Sequence, residues 1–379
     1  MPASEVVVIG SGVAGSAIAT ALCRRGYKVT LLFRAAKEGS SFTNQKWSHS
    51  GLLYPAERLA RKACREFLRD SLLRQFTYHT AVGARFLAMQ QRTLDERKKM
   101  WLTWDVRAWG LNWRPLELEE YRTVDPLGET RAVGGFEVPD RIVNFPAIIE
   151  HLRQEVRQCG GVVASDIVKR IRVEDERVKA VDLVDGQSKI DCSICVLAAG
   201  AWSNAILQES EIKRPDLILR KCVVLEYDGE VVPGLTTCLD VQRHDGTEQD
   251  VTLVPFDGKT LAAGTGFTEI VTGDDEQTDE QEIGRLNDQL IQCFPTLRGR
   301  PSRIITCTKT EKRPGGKPNV SPQVYGPAFH GIIGLTVAIP GKASFMFDLA
   351  DRVLGEIEGW ALAADTQPLS NWNFEKLQF

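Results

Sequence analysis

EVVVIGSGVAGSAIATALCRRGYKVTLLF, residues 5–33, decides the fold. The valine-rich run Glu5–Ile9 predicts a strand. A turn follows at Gly10-Ser11-Gly12-Val13-Ala14-Gly15, then a helix of Ala, Ile and Leu from Ser16 to Arg25 that Gly26 ends, then a second parallel strand over Val29–Phe33. A glycine at position 10 permits the tight turn. Gly12 lets a pyrophosphate approach bare backbone, and Gly15 lets helix and strand pack closely. Val13 and Ala14 open the helix, whose N-terminal N–H groups supply the positive end for phosphate. In this setting the glycine pattern reads as a dinucleotide site. The acidic residue that should close the second strand and hold the ribose hydroxyls is missing: Phe33 stands there and Arg34 follows. Two readings of Arg34 stay open, one facing a ribose phosphate as in an NADP enzyme, the other a solvated surface arginine.

With 379 residues, 43% of them hydrophobic, the chain has more than one ordinary core can use, so two domains are expected. Forty-seven basic against 50 acidic residues give a net charge of -3, which provides no positive field for nucleic acid or an anionic membrane. A small-molecule partner fits better. No signal-like or membrane-spanning apolar run is present, so a soluble, cytoplasmic protein without stable membrane insertion is expected. The cysteines, at 23, 64, 159, 192, 195, 222, 238, 293 and 307, are odd in number and scattered, as reduced thiols would be. Cys192 and Cys195 form a C-x-x-C inside a strand-like run with no second pair beside it, so no metal site is expected.

From Gln45 to Tyr54 (Gln-Lys-Trp-Ser-His-Ser-Gly-Leu-Leu-Tyr) the chain resembles the loop under the flavin in the D-amino acid oxidase-like superfamily of FAD oxidoreductases. That superfamily includes glycine oxidase, sarcosine oxidases, glycerol-3-phosphate dehydrogenase and L-2-hydroxyglutarate dehydrogenase. Four later segments resemble it in the same order. They are Leu116–Pro126, a surface helix; Val143–Pro146, which opens a helix; Val196–Ser203, the strand and turn beside the FAD; and Ile339–Ser344, the opening of a flavin-covering helix. The resemblance implies noncovalent FAD, because Ser48, not histidine, stands where some relatives attach the ring. It implies cofactor contacts at Ser48, His49, Ser50, Gly51, Ala199, Gly200, Trp202, Gly341, Lys342, Ala343 and Ser344, besides Gly10, Gly12, Val13, Ala14, Gly15 and Arg34. L-2-hydroxyglutarate dehydrogenases resemble the Ser50-Gly51 loop and the Pro340-Gly341 segment, but carry a histidine where this chain has Tyr54 and an asparagine where it has His49. Arg313-Pro314-Gly315 instead resembles the glycine oxidase segment whose arginine grips the substrate carboxylate.

The resemblance implies an α/β and α+β chain. A Rossmann-like FAD-binding domain is built from residues 1–55, 140–212 and 305–379, and a mixed antiparallel-sheet substrate domain from 56–139 and 213–304. The Asp-Gly pairs at 228, 245 and 257 predict hairpins in the second domain, and Gly273–Glu282 an exposed connection. Four of the eight tryptophans, Trp101, Trp104, Trp109 and Trp113, crowd one stretch; sheet packing or a substrate pocket both account for them.

Flavin chemistry needs a C–H donor held against the ring, a group that stabilises the reduced anion, and an anchor for the substrate's far end. Lys342 at a helix N-terminus suits the second task. Arg313 suits the third, since a guanidinium holds a carboxylate with two parallel hydrogen bonds, while nearby Lys309, Lys312 and Lys317 leave a solvated basic run as the competing reading. His49 and Tyr54 flank the flavin loop as candidates to accept a proton or hydrogen-bond the substrate. The expectation is hydride removal from the α carbon of a small carboxylate-bearing amine. L-2-hydroxy acid oxidation is the close alternative, and an NADP enzyme or a non-catalytic FAD protein the more distant ones. Oligomeric state is not legible.

Overall fold

The computed structural model describes residues 5–34, 39–122, 131–184, 188–242, 247–264, 266–270, 280–298, 301–313 and 321–364. Strand β1 (Glu5–Ile9), helix α1 (Val13–Arg24) and strand β2 (Lys28–Phe33) form in the order read from the sequence. They belong to a six-stranded sheet ordered Gln323–Tyr325, Leu335–Ile339, Ile194–Leu197, β1, β2, Val162–Ser165. Its strands are parallel except for the edge strand Gln323–Tyr325. All four residues Val6 to Ile9 are buried, as expected of a strand covered on both faces. One face packs on α1 and the helices Phe145–Gln158 and Met346–Ala364 through Val8, Ile18, Ile149, Leu349 and Val353. The other packs on a three-stranded antiparallel sheet, Val168–Glu174, Arg177–Leu183 and Lys189–Asp191, through Val7, Leu197, Val181 and Val337. The connections run to opposite sides of β1, so a crevice opens at the carboxyl ends of β1, β2 and Ile194–Leu197, where α/β sheets hold ligands.

A second, nine-stranded sheet has Leu217–Asp228 as its longest-paired strand, antiparallel to Pro301–Lys312 on one side and to Lys259–Gly264 and Thr268–Ile270 on the other. Pro301–Lys312 pairs with it along its length, so this sheet continues past the boundary at 305 read from the sequence. Asp257 and Gly258 both have positive φ, 54° and 71°, and turn a two-residue hairpin between Glu248–Phe256 and Lys259–Gly264. The pair Asp228-Gly229 makes no such hairpin. Gly229 N–H donates to Gly258 O, and the chain leaves for the distant strand Thr236–Gln242. Position 245 and most of the stretch 273–282 lie outside the described residues, with a helix starting at Glu280.

The tryptophans divide. Trp101 and Trp113 are buried against Phe86 and Phe136, with Trp101 and Phe136 ring centroids 4.8 Å apart, so they form the core under the second sheet. Trp104 and Trp109 stack nearer the surface under Arg61. Among the described residues no helix is long and apolar enough to cross a membrane.

Candidate active site

The three glycines after β1 are bare for different reasons. Gly10 has φ +99°, and a Cβ there would lie 2.5 Å from Ala198 O on the neighbouring strand end. At Gly15 a Cβ would lie 1.7 Å from Gly10 O. Both are required by packing within the protein. Around Gly12 a Cβ would meet only the Ser41 side chain, at 3.0 Å, and no backbone. Gly12 opens on a cavity of about 670 Å³, within the range of ligand pockets. That cavity is lined by residues 10–14, 32–34, 39–43 and 198–202, so Gly10, Gly12, Val13, Ala14, Arg34, Ala199, Gly200 and Trp202 all reach it, and Gly15 supports it from behind. Val13 N–H, at the first turn of α1, donates to Ser41 Oγ at 3.1 Å. This cradle, which a side chain at 12 would fill, fits a dinucleotide pyrophosphate.

Several lining residues carry no local sequence signal: Ser41, Arg153, Thr306 and Thr308. Where an acid was expected, Phe33 carries the Arg153 guanidinium 4.5 Å above its ring. Arg34 lies 5.9 Å from the Trp202 ring centroid.

Beyond Thr43 the chain forms the short strand Trp47–Ser48 and the loop to Tyr54. Buried Asp140 pins this loop, accepting from Trp47 Nε1 at 2.8 Å and Ser50 N–H at 3.0 Å. Burial lifts the Asp140 carboxyl to about 6, against those two hydrogen bonds. Gly51 adopts φ +104°, where a Cβ would come within 2.4 Å of Ala60 O, and Trp101 Nε1 donates to Leu52 O at 3.1 Å. A loop held this firmly still leaves Ser48 Oγ, His49 Nδ1 and Tyr54 Oη buried without hydrogen-bond partners. Orphaned polar atoms cost about 1–3 kcal/mol each, and clusters of them mark where a ligand completes the site. The His49 ring lies 3.8 Å from that of Trp47 and 5.9 Å from that of Tyr54.

Strand register sets basic groups beside this loop. Arg220 on Leu217–Asp228 pairs directly with Lys309 on Pro301–Lys312, and two residues along each strand Ile218 pairs with Glu311 and Cys222 with Cys307. Directly paired and alternate residues share a face, so Arg220, Lys309, Glu311, Cys222 and Cys307 lie together. Arg220 Nη1 donates to buried Glu311 at 2.9 Å, its guanidinium lies 3.4 Å from the Phe267 ring centroid, and its Nε is buried without a partner. Lys342 arrives from the turn after Leu335–Ile339, whose Pro340 lines the cavity. Burial, with the Lys309 charge beside it, holds the Lys342 ammonium down at about 8. Burial, then Lys342 and Lys309, holds His49 well below imidazole's ordinary range. Burial, with Asp140 and Glu311 adding to it, pushes the Tyr54 phenol up. His49 and Tyr54 are therefore neutral at pH 7, His49 beside two lysine charges and Tyr54 beside two carboxyl groups. Gly341 turns with φ +67°, and Ala343–Phe345 form a single 3₁₀ turn leading into the helix Met346–Ala364, with Ser344 buried.

Arg313 does not join this group. It follows the last residue of its strand and is 45% exposed. Its Nε donates to Asp216 Oδ1 at 3.2 Å and its Nη2 to Glu269. In this structure the guanidinium expected as the carboxylate anchor is engaged by two carboxylates in an exposed ion pair.

A family model described as DAO, FAD dependent oxidoreductase, matches residues 5–339. No curated protein matches the sequence. Among solved structures, glycine oxidase from Geobacillus kaustophilus is similar with a TM-score of 0.72 at 16% identity, covering 94% of this chain and 95% of that one. Iminodiacetate oxidase from a Chelativorans species is similar with a TM-score of 0.72 at 17% identity over 93% and 95%. L-proline dehydrogenase from P. horikoshii is similar with a TM-score of 0.71 at 19% identity over 97% and 95%.

Proposed function

We propose, from the premise that this chain belongs to the DAO family of FAD-dependent oxidoreductases, that it takes a hydride from the α carbon of a small carboxylate-bearing amine, an amino or imino acid. FAD is its cofactor and, when bound, supplies the acceptor for the hydride, which carries both electrons.

The observation that carries the substrate reading is the basic face beside His49 and Tyr54. Arg220 and Lys309 share that face, Lys342 adds a third cation, and Glu311 is committed to Arg220. Such a surface attracts an anion, and a carboxylate there gains charge-assisted hydrogen bonds in a partly desolvated setting. The glycine oxidase, iminodiacetate oxidase and L-proline dehydrogenase to which the chain is similar bear names of carboxylate-bearing amines.

Electrostatics also favours an amine over a hydroxy acid. A substrate ammonium must shed a proton before its lone pair can assist hydride loss. Burial, with the Lys309 charge beside it, holds Lys342 at about 8, and the same two effects lower a neighbouring substrate ammonium. A hydroxyl, which starts far above pH 7, still needs a base, and His49 is a weak one. Lys342, while protonated, also opposes negative charge that builds on the acceptor side.

Anaerobic mixing of the flavoprotein with matched compounds tests this: a small amino acid, its N-alkyl form, the corresponding L-2-hydroxy acid and the amino amide. The two amino acids should bleach the flavin absorbance, and the amide should do so roughly a hundredfold less efficiently. Faster bleaching by the hydroxy acid, or equal rates with acid and amide, would overturn the reading.

A further inference from the structure

We propose that Arg153 is a pyrophosphate ligand of the cofactor, and that with Phe33 it replaces the acidic ribose anchor missing from the end of β2. The inference rests on the cofactor assignment alone and is independent of the substrate reading.

Arg153 stands on the helix Phe145–Gln158 but reaches the glycine turn. Its Nη2 donates to Ser11 Oγ at 2.5 Å and to Ser11 O at 3.4 Å. Its guanidinium carbon lies over Phe33, 4.5 Å from the ring centroid. Only 14% of the side chain is exposed, and Nε is buried without a hydrogen-bond partner. Its ion-pair partner, Glu150, is half-exposed, lies 3.8 Å away and also pairs with Arg157, and Asp166 and Glu209 line the same cavity without an ion pair to it. Burial disfavours the charge, yet an arginine keeps its proton. A largely buried cation beside Gly12, lining the same cavity, is therefore weakly compensated by the protein, and an anionic ligand supplies the compensation.

Phe33 fits this account. A carboxylate at that place would pair with Arg153 and cancel the charge offered to phosphate, whereas an aromatic ring supports a guanidinium by cation–π contact and takes up none of its N–H donors. The pair thus exchanges recognition of ribose hydroxyls for recognition of phosphate charge. The ligand class is a nucleoside diphosphate or a dinucleotide containing one.

The experiment uses protein stripped of flavin and then titrated with FAD, followed by quenching of flavin fluorescence, with ADP, 2′-deoxy-ADP and adenosine as competitors. In the wild type, ADP and 2′-deoxy-ADP should compete within about threefold of each other, and adenosine far more weakly. Arg153→Leu should weaken FAD and ADP on the order of a hundredfold while leaving adenosine unchanged, and Arg153→Lys should recover part of the loss. Raising the salt should weaken ADP in the wild type more than in Arg153→Leu. Phe33→Glu gives an independent arm that leaves the arginine in place: it should weaken ADP, because the new carboxylate captures Arg153. Retention of FAD within about threefold by folded Arg153→Leu, or tighter ADP binding by Phe33→Glu, would overturn the proposal. So would a loss of ten-fold or so on removing the 2′-hydroxyl.

Discussion

The glycine turn and the basic face beside His49, which we propose serve one site, are built in opposite ways. The turn comes from six consecutive residues, Gly10 to Gly15, whose backbone path is fixed by β1, α1 and the close approach of Ala198. The basic face comes from residues 49, 54, 220, 309, 311 and 342, which meet only through the pairing of Leu217–Asp228 with Pro301–Lys312 and the return of the chain after Leu335–Ile339. In the first region the information lies in where side chains are absent. In the second it lies in which charges the sheet brings side by side.

The difference is tested most strongly in the turn. Gly15→Val should lower the stability of the flavin-free protein by on the order of 3 kcal/mol or more, because its Cβ would overlap Gly10 O. Gly12→Ala should melt close to the wild type yet lose flavin, since it meets only the Ser41 hydroxyl. Thermal melts of the flavin-free proteins with flavin-to-protein absorbance ratios separate the two effects, and equal melting losses would erase the distinction drawn between fold glycines and a ligand glycine.

In the basic region, Lys309→Met should reduce kcat/KM for a carboxylate substrate by roughly a hundredfold and barely touch its amide. Steady-state kinetics on the two substrates check it. An equal loss on both would mean that Lys309 supports the fold and does not meet the carboxylate.

A smaller effect follows from pH. Lys342 attracts an anion only while protonated, and its free ammonium is held down at about 8. Affinity for a carboxylate inhibitor lacking an amine should therefore be full below that value and fall as pH rises through it, by up to about tenfold per unit. Bound anion favours the protonated form, so the step moves upward in the complex. Flavin difference spectra across pH 6.5–9.5, about three units around that value, measure it, and Lys342→Met should flatten the curve. A slope unchanged in that variant would assign the titration elsewhere.

The smallest effect is expected at Arg313. Arg313→Leu should alter acid and amide kinetics alike by less than about threefold, as loss of an exposed ion pair does. A large loss confined to the acid would return the anchor to the end of that strand.

Residues 5–33, read alone, determined the dinucleotide turn, the crossover and the missing acid at Phe33, because a tight turn, a bare phosphate approach and a helix start are local demands on φ, ψ and side-chain size. The hairpin at Asp257-Gly258 was legible for the same reason, whereas the hairpin expected at Asp228 failed because strand partners are chosen by the sheet as a whole. Arg313 shows the limit most clearly. Its local motif suggested a carboxylate grip, but whether a guanidinium meets substrate or Asp216 and Glu269 depends on what surrounds the strand end. Arg153, Arg220 and Glu311 carried no local signal, and Lys309 read only as part of a solvated basic run. Their roles come from burial and from charges brought close across large sequence separations, and only the tertiary structure decides which charges share a low-dielectric space.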